Sequence, residues 1–403
     1  MKAVRLGEHA RLIRGITFKP QDKCDPHDEG AVVCMRTKNV QSTLDGSDLI
    51  AIPMSLVKNI EKMISIGDIL VSSANSWNLV GKCCQVRELQ FPSTAGGFIS
   101  ILRPKTDKLD AGYLYRWFSS EKIQNRVRSF GNQTTNISNL DHKRTLNLQI
   151  PLPPIAEQKR IAAILDAADA LRAKRRETLA QLDTLLQSTF LDMFGDPVTN
   201  PKGFPIKNLP EFYCNKREGT KCGPFGSALK KDELVATGIP VWNMDNIDPN
   251  GRMILPFRMW ISEKKFQNLE TYKVVAGDVI ISRAGTVGKM CVVPELHSAS
   301  IISTNLIRVR FGPDLLPIYF VFLMFFCKGR VGRLETGPDG SFTHMSTGVL
   351  DKLKFPYPPL PLQRRFAAIV ESVEQQKTRL RAHLAELDTL FASLQHRAFN
   401  GAL

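Results

Sequence analysis

No stretch of the chain stays apolar for the roughly 18 to 20 residues that a bilayer-crossing helix needs, and Met1-Lys2-Ala3-Val4-Arg5-Leu6-Gly7 contains no apolar signal core. The expectation is a cytoplasmic protein with no membrane attachment. The eight cysteines (Cys24, Cys34, Cys83, Cys84, Cys214, Cys222, Cys291 and Cys327) are scattered without CxxC pairing, which argues against a disulfide framework or a zinc ribbon. They read as reduced, mostly buried thiols. Cys24, His27 and Cys34 lack a fourth ligand at a recognised spacing, so no metal site is expected. A phosphate-binding loop is also missing. Ser282-Arg283-Ala284-Gly285-Thr286-Val287-Gly288-Lys289 ends correctly, but Met290 follows where Ser or Thr is required and Arg283 replaces the first glycine. No Asn-Pro-Pro-Tyr or Asp-Pro-Pro-Tyr tetrapeptide occurs, so base methylation is not expected of this chain either.

What the sequence does have is length, positive charge and a repeat. At 403 residues it exceeds the roughly 250 to 300 at which single cores stop growing, so at least two domains are expected. Its 54 Lys+Arg against 39 Asp+Glu give a formal charge of +15, which favours an anionic partner such as nucleic acid or an acidic membrane surface.

The repeat has a constant spacing of 205 residues: Pro154, Gln158, Arg160, Ala162, Ala163 and Ile164 recur as Pro359, Gln363, Arg365, Ala367, Ala368 and Ile369. Leu182-Asp183-Thr184-Leu185 likewise recurs as Leu387-Asp388-Thr389-Leu390. Each copy opens with a proline-rich stretch, Pro151-Leu152-Pro153-Pro154 or Pro356-Tyr357-Pro358-Pro359, and continues for about 39 residues without proline or glycine. One apolar stripe runs along each, through Ile161, Ile164, Ala168, Leu171, Leu179, Leu182, Leu186 and Phe190, and through Phe366, Ile369, Val373, Leu380, Leu384, Leu387 and Phe391. A helix of that length spans about 58 Å and needs a partner along it, which two equal helices with matching stripes supply to each other. A fainter repeat joins the intervening segments: Gly67-Asp68-Ile69-Leu70-Val71-Ser72 matches Gly277-Asp278-Val279-Ile280-Ile281-Ser282, a turn entering a short strand. An aromatic helical stretch follows in both, Tyr113 to Phe118 and Ile318 to Phe322. The expected class is α+β: two similar globular domains, 1–150 and 196–355, alternating with linker-and-helix segments, 151–195 and 356–403, whose helices pair as an antiparallel coiled coil.

The helices carry little of the charge. Residues 156–194 hold six Lys/Arg and six Asp/Glu, and 356–403 hold six and four, leaving +13 in the globular segments. Excess positive charge confined to two repeated domains fits two phosphate-facing surfaces. Loop composition then nominates contacts. In the first domain these are Ser72, Asn75, Ser76, Trp77 and Lys82, with Asn132, Gln133 and Thr134 in a polar loop further on. In the second they are Ser282, Arg283, Thr286 and Lys289, with Ser341, Thr343 and His344. Arg and Lys suit guanine edges and phosphates, and Asn or Gln can bind adenine bidentately; ordinary turn chemistry is the competing reading of any single one.

Pro151-Leu152-Pro153-Pro154-Ile155-Ala156-Glu157-Gln158-Lys159-Arg160-Ile161 resembles the central conserved region of type I restriction-modification specificity subunits. Gly223-Pro224-Phe225-Gly226-Ser227, Gly238-Ile239-Pro240-Val241 and the strand 277–282 are similar to features of that family's target-recognition domains. The resemblance implies a non-catalytic subunit in which each domain reads one half of a split, asymmetric site in double-stranded DNA. It also implies that the paired helices set the distance between halves and dock two methyltransferase subunits, with Gln158, Arg160, Gln363 and Arg365 as the docking residues. Cleavage is implied for an ATP-driven restriction subunit that joins the assembled complex. S-adenosylmethionine, ATP and magnesium then belong to partner subunits and no cofactor to this chain. Pro361-Leu362-Gln363 stands where the first copy has Ala156-Glu157-Gln158, which bears on how symmetric the docking is. Two other readings stay open on composition alone: a catalytic DNA-modifying subunit, tested by methyl transfer from the isolated chain, and a protein-bridging scaffold, which would not bind DNA at low salt.

Overall fold

The glycine-aspartate turns seen twice in the sequence lead into the central strands of two equivalent sheets. In the computed structural model, which describes residues 2–133, 137–225, 228–248, 250–283, 288–296, 298–327 and 345–403, the chain forms two compact units. Unit 1 is Met1–Glu177 with Arg381–Leu403, and unit 2 is Thr178–Leu380. Each long helix therefore gives one half to each unit.

In unit 1, Ile69–Ser72 is central in an antiparallel sheet ordered Ala10–Arg14, Ile99–Pro104, Ile69–Ser72, Cys83–Gln85. In unit 2 the order is Thr220–Cys222, Leu306–Val309, Val279–Ser282, Met290–Val292, the same topology in the same positions. A second sheet accompanies each, built on a parallel pair: Ala31–Met35 with Ser93–Ala95 in unit 1, and Ile239–Trp242 with Ser300–Ile302 in unit 2. The central strands Ile69–Ser72 and Val279–Ser282 are buried at every position, which explains their unbroken apolar, β-branched run.

Gly67 and Gly277 take φ of +94° and +86°, a left-handed turn that a side chain would strain. The aspartate after each is buried and anchors the turn. Asp68 accepts from Ser65 N (2.7 Å) and from both ends of the Arg103 guanidinium at 2.6 and 2.5 Å. Asp278 accepts from Val275 N (2.8 Å) and from Arg310 at 2.7 and 2.8 Å. Bidentate pairing of this kind is what makes a nearly dry carboxylate tolerable.

The long helices are Ile155–Phe194 and Leu360–Asn400. The second begins earlier than its prolines suggest: Pro361 sits in the first turn, where a missing N–H costs nothing. Their pairing is visible inside each unit. In unit 1, Arg160 donates to Leu403 O (3.1 Å) and Arg172 pairs with Asp388 (2.6 Å). In unit 2, Asp183 pairs with Lys377 (2.5 Å), and Phe190 and Phe194 pack on Phe366 with ring centroids 5.5 and 5.3 Å apart. Rising positions on one helix meet falling positions on the other, so the pair runs antiparallel.

The ion pairs obey the repeat. Arg172 lies between Asp169 (2.8 Å) and Asp388 (2.6 Å), while Lys377, 205 residues on, lies between Glu374 and Asp183. Lys377 is only 2% exposed. A polar group at a buried coiled-coil position is a device for fixing register, because a slipped pairing would strand the charge. Around these triads the apolar cores differ. Unit 1 uses Arg172 stacked 4.3 Å from Phe391, whereas unit 2 gathers Tyr319, Phe322, Phe326 and Phe366 about Phe190.

The cysteines carry no disulfide among the described residues. Cys34, Cys84, Cys291 and Cys327 are buried, Cys24, Cys83 and Cys222 half-buried, and Cys214 is exposed. Among those residues no group of three or more His, Cys, Asp or Glu is placed to hold a metal ion, and no helix is long and apolar enough to cross a membrane.

Candidate nucleic-acid interface

The polar residues that follow the central strand of unit 1 and those of the loop after Phe130 lie some sixty positions apart in sequence, yet they share one small sheet. Asn132–Gln133 pairs with Ser138–Asn139, which pairs in turn with Ala74–Asn75. The fold thus brings together Asn75, Asn132 and Gln133 from the two nominated loops. Thr134 lies outside the described residues.

Within this cluster the nominated residues divide by exposure. Ser76 and Trp77 are exposed, Trp77 at 51%, and Asn75 is half-buried. Ser76 Oγ donates to Asn78 Oδ1 (2.7 Å), which holds the turn in shape. Lys82 is half-buried and donates to Gln41 Oε1 (2.5 Å). Ser72 departs from expectation. It is 1% exposed, its hydroxyl accepts from Asn75 Nδ2 (3.2 Å), and its backbone is bridged to Gly81 and Lys82 at 2.8 Å each. The side chain closes the turn from inside and offers nothing to a ligand.

Unit 2 repeats this correction. Ser282 is 0% exposed, its hydroxyl accepts from Lys289 N (3.0 Å), and its backbone N–H donates to Lys289 O (2.8 Å). Gly81 and Gly288 fill the same left-handed position in the two turns, with φ of +84° and +82°. Arg283, half-buried, is the stronger candidate: its guanidinium lies 4.8 Å from the ring of Phe225, which is itself 56% exposed. A cation stacked on an exposed ring is held ready for a planar acceptor. Lys289, six positions on, is half-buried as well. Thr286, Ser341, Thr343 and His344 lie outside the described residues.

Two contributors to the first cluster escaped sequence reasoning. Phe98, 64% exposed, lies where its carbonyl accepts from Ser73 N (2.8 Å) and Ala74 N (3.4 Å), so an aromatic ring stands at the sheet's edge. The preceding Gly96-Gly97 was the available signal. His142 lies beneath the same turn, Nε2 within 3.0 Å of Ser100 Oγ, which donates to Ser73 Oγ (3.0 Å). Burial, then the charge of Arg14, hold this imidazole below its ordinary pKa, with Asp141 opposing.

The docking residues also separate. Arg160 and Arg365 are exposed, and Arg160 makes a two-point contact with Glu157 at 2.8 Å. Gln158 and Gln363 are 0% exposed, so neither amide can touch a docked subunit. Gln158 accepts from Asp110 N (2.9 Å) and donates to Lys108 O and Pro153 O, both at 2.8 Å. Gln363 accepts from Leu316 N (3.0 Å) and donates to Pro358 O (2.9 Å). Tyr113 and Tyr319 donate to Pro151 O (2.9 Å) and Pro356 O (2.8 Å). Apart from the Gln158 bond to Lys108 O, equivalent bonds therefore join the start of each long helix to the aromatic helix of its unit. The recurring glutamine is a joint between helix and domain.

A duplicated mixed domain, a polar cluster behind its central strand and a glutamine-fastened long helix define a protein of repeated recognition units. The family model of the type I restriction modification DNA specificity domain matches residues 1–182 and 225–387, and the chain belongs to that family. It is 24% identical over 418 residues to the EcoKI specificity subunit of Escherichia coli (strain K12), covering 97% of this chain and 87% of that one. Among solved structures it is similar to the type I restriction-modification S subunit from M. genitalium, with TM-score 0.57 and 17% identity over 99% of this chain and 96% of that one. It is also similar to a chain from a structure describing assembly and conformational transition of the type I R-M system, with TM-score 0.55 and 18% identity over 100% and 98%.

Proposed function

We propose that this chain reads a bipartite, asymmetric site in double-stranded DNA, one half-site per unit, as the non-catalytic recognition component of a cytoplasmic type I restriction-modification complex. In this reading the paired helices set the spacing between half-sites and dock two methyltransferase subunits, with Arg160 and Arg365 at the surface and Gln158 and Gln363 positioning the helices beneath. Restriction subunits join through the assembled complex. S-adenosylmethionine, ATP and magnesium act in those partners, and this chain contributes recognition alone.

One observation carries the proposal: the unit is present twice, with the same sheet order and the same glutamine joint, while the loops around the shared turn differ. A duplicated frame with divergent loops is what two different half-sites require. The +13 charge outside the helices supplies the sequence-independent attraction. Replacing residues 1–145 with the equivalent segment of another family member tests it by methylated-adenine mapping. One half of the target changes and the other persists; a change in both halves would refute independent reading.

A further inference from the structure

Several cations of unit 1 that stand near its sheets are paired with carboxylates. Arg11 meets Glu61, Arg36 and Lys38 meet Asp48, Arg87 meets Asp166, and Arg103 meets Asp68. The helices Glu121–Ser129 and His142–Leu146 differ. They carry Lys122, Arg126, Arg128, Lys143 and Arg144, of which all but Arg128 are exposed. The acidic residues close by in sequence are Glu121 and Asp141, and the Asp141 carboxylate accepts from Arg144 N (2.9 Å) as a helix cap.

Phe130, 8% exposed, lies between these helices, and both arginines stack on it: Arg144 at 4.5 Å from the ring centroid and Arg126 at 5.6 Å. Two guanidinium groups held against one ring are partly ordered before any ligand arrives, so less side-chain entropy is lost on binding. The concave surface they border is lined by Lys122, Asn125, Ser129 and Asn147, each with a hydrogen-bond donor, together with the apolar Ile123 and Leu148. Gly131 then leads directly into Asn132–Gln133, the outer strand of the polar sheet described above.

We propose that this groove is a phosphate clamp: Arg126 and Arg144, steered by Phe130 and supported by Lys122, grip the DNA backbone beside the bases read by the adjoining sheet. The inference rests on the DNA-reading function proposed above and assigns its positioning contacts in unit 1. Backbone contacts fix register and orientation, whereas base edges supply sequence information, so the two sets belong side by side.

The test measures the affinity of the full-length chain for a mixed-sequence duplex as a function of salt, comparing wild type with Arg126→Gln/Arg144→Gln. Both side chains are exposed, and glutamine keeps the helices intact, which circular dichroism confirms. Each phosphate contact contributes about 0.9 to the logarithmic salt slope, so the double variant loses about 1.8 of it. Over a four-fold rise in salt, wild type then falls about twelve-fold further than the variant. Phe130→Leu, which keeps both charges and removes their stacking, weakens binding and leaves the slope unchanged. If wild type binds with a steep slope and the double variant matches it, the clamp is wrong and DNA reading stands. Should the variant bind DNA normally but fail to assemble with methyltransferase, the groove is a protein-docking surface and the proposal is overturned. Absence of salt-dependent binding in wild type would instead refute the DNA-reading function itself.

Discussion

If the helix pair sets the distance between half-sites, lengthening both helices by one turn lengthens the unread spacer. Four residues inserted between Arg175 and Arg176 add about 6 Å. Made alone, this insertion moves the Arg172–Asp388 contact against the Asp183–Lys377 contact, and neither tolerates 6 Å, since they span 2.6 and 2.5 Å. Either the extra turn bulges out or Lys377 loses its partners, and stranding a cation that is 2% exposed costs about 3 to 5 kcal/mol. The single insertion therefore lowers thermal stability. A matched insertion between Leu380 and Arg381, 205 residues further on, moves Asp388 with its helix half and restores both contacts. At about 3.4 Å per base pair, 6 Å is one to two base pairs. Methylated-adenine mapping in cells carrying the double-insertion chain and its methyltransferase reads the answer: both half-sites keep their sequences while the spacer grows by that amount. An active double-insertion enzyme that methylates the original spacing would refute the ruler, and stability rescued without a spacer change would confine the triads to register alone.

Gln158→Leu removes the partner of Asp110 N, Lys108 O and Pro153 O, at about 1 to 3 kcal/mol for the buried Pro153 O and less for the two part-buried groups, and Gln363→Leu does the same to Leu316 N and the buried Pro358 O. Urea unfolding should show both variants destabilised, Gln158→Leu more so; unchanged midpoints would mean that water replaces the lost bonds. His142 gives a pH dependence. Because its folded pKa is depressed, the unfolded chain takes up a proton first as pH falls through the ordinary imidazole value of 6.5, and stability present above that value is lost below it. The unfolding midpoint of wild type should therefore fall more than that of His142→Gln between pH 7.5 and 5.5, and parallel losses would remove His142 as the cause.

How far the sequence reveals this structure depends on whether a feature is written locally. The long helices are legible because proline-free length and an apolar stripe are properties of one segment. The glycine-aspartate turns are legible for the same reason, but the role of Asp68 is not, since Arg103 reaches it from a strand 35 positions away. Two-residue strands such as Ala74–Asn75 and Asn132–Gln133 have no periodicity to read, and their sheet exists only through pairing with Ser138–Asn139. Polar residues mislead most. Gln158 and Lys377 carry the composition of a solvated face, yet both are buried because another segment brings the backbone carbonyls or carboxylates that satisfy them. Ser72 and Ser282 err the same way, as their hydroxyls are consumed inside their own turns. Lys377 still obeys the repeat, since its partners Glu374 and Asp183 stand where Asp169 and Asp388 stand about Arg172.

The division of the chain into units also sets an order of manufacture. Unit 2 is one unbroken run, Thr178–Leu380, and can close as soon as its own residues leave the ribosome. Unit 1 begins first but must wait for Arg381–Leu403, because Phe391, Leu394, Ala398 and Phe399 complete its core against Tyr113, Trp117 and Ile161. At about 5 to 20 residues per second, the roughly 200 residues between take about 10 to 40 s to synthesise, during which that apolar face lacks its cover. A chain that stops within unit 2 lacks Phe391, Leu394, Ala398 and Phe399 from the core of its first domain. Closure of the earlier domain therefore follows completion of the later one.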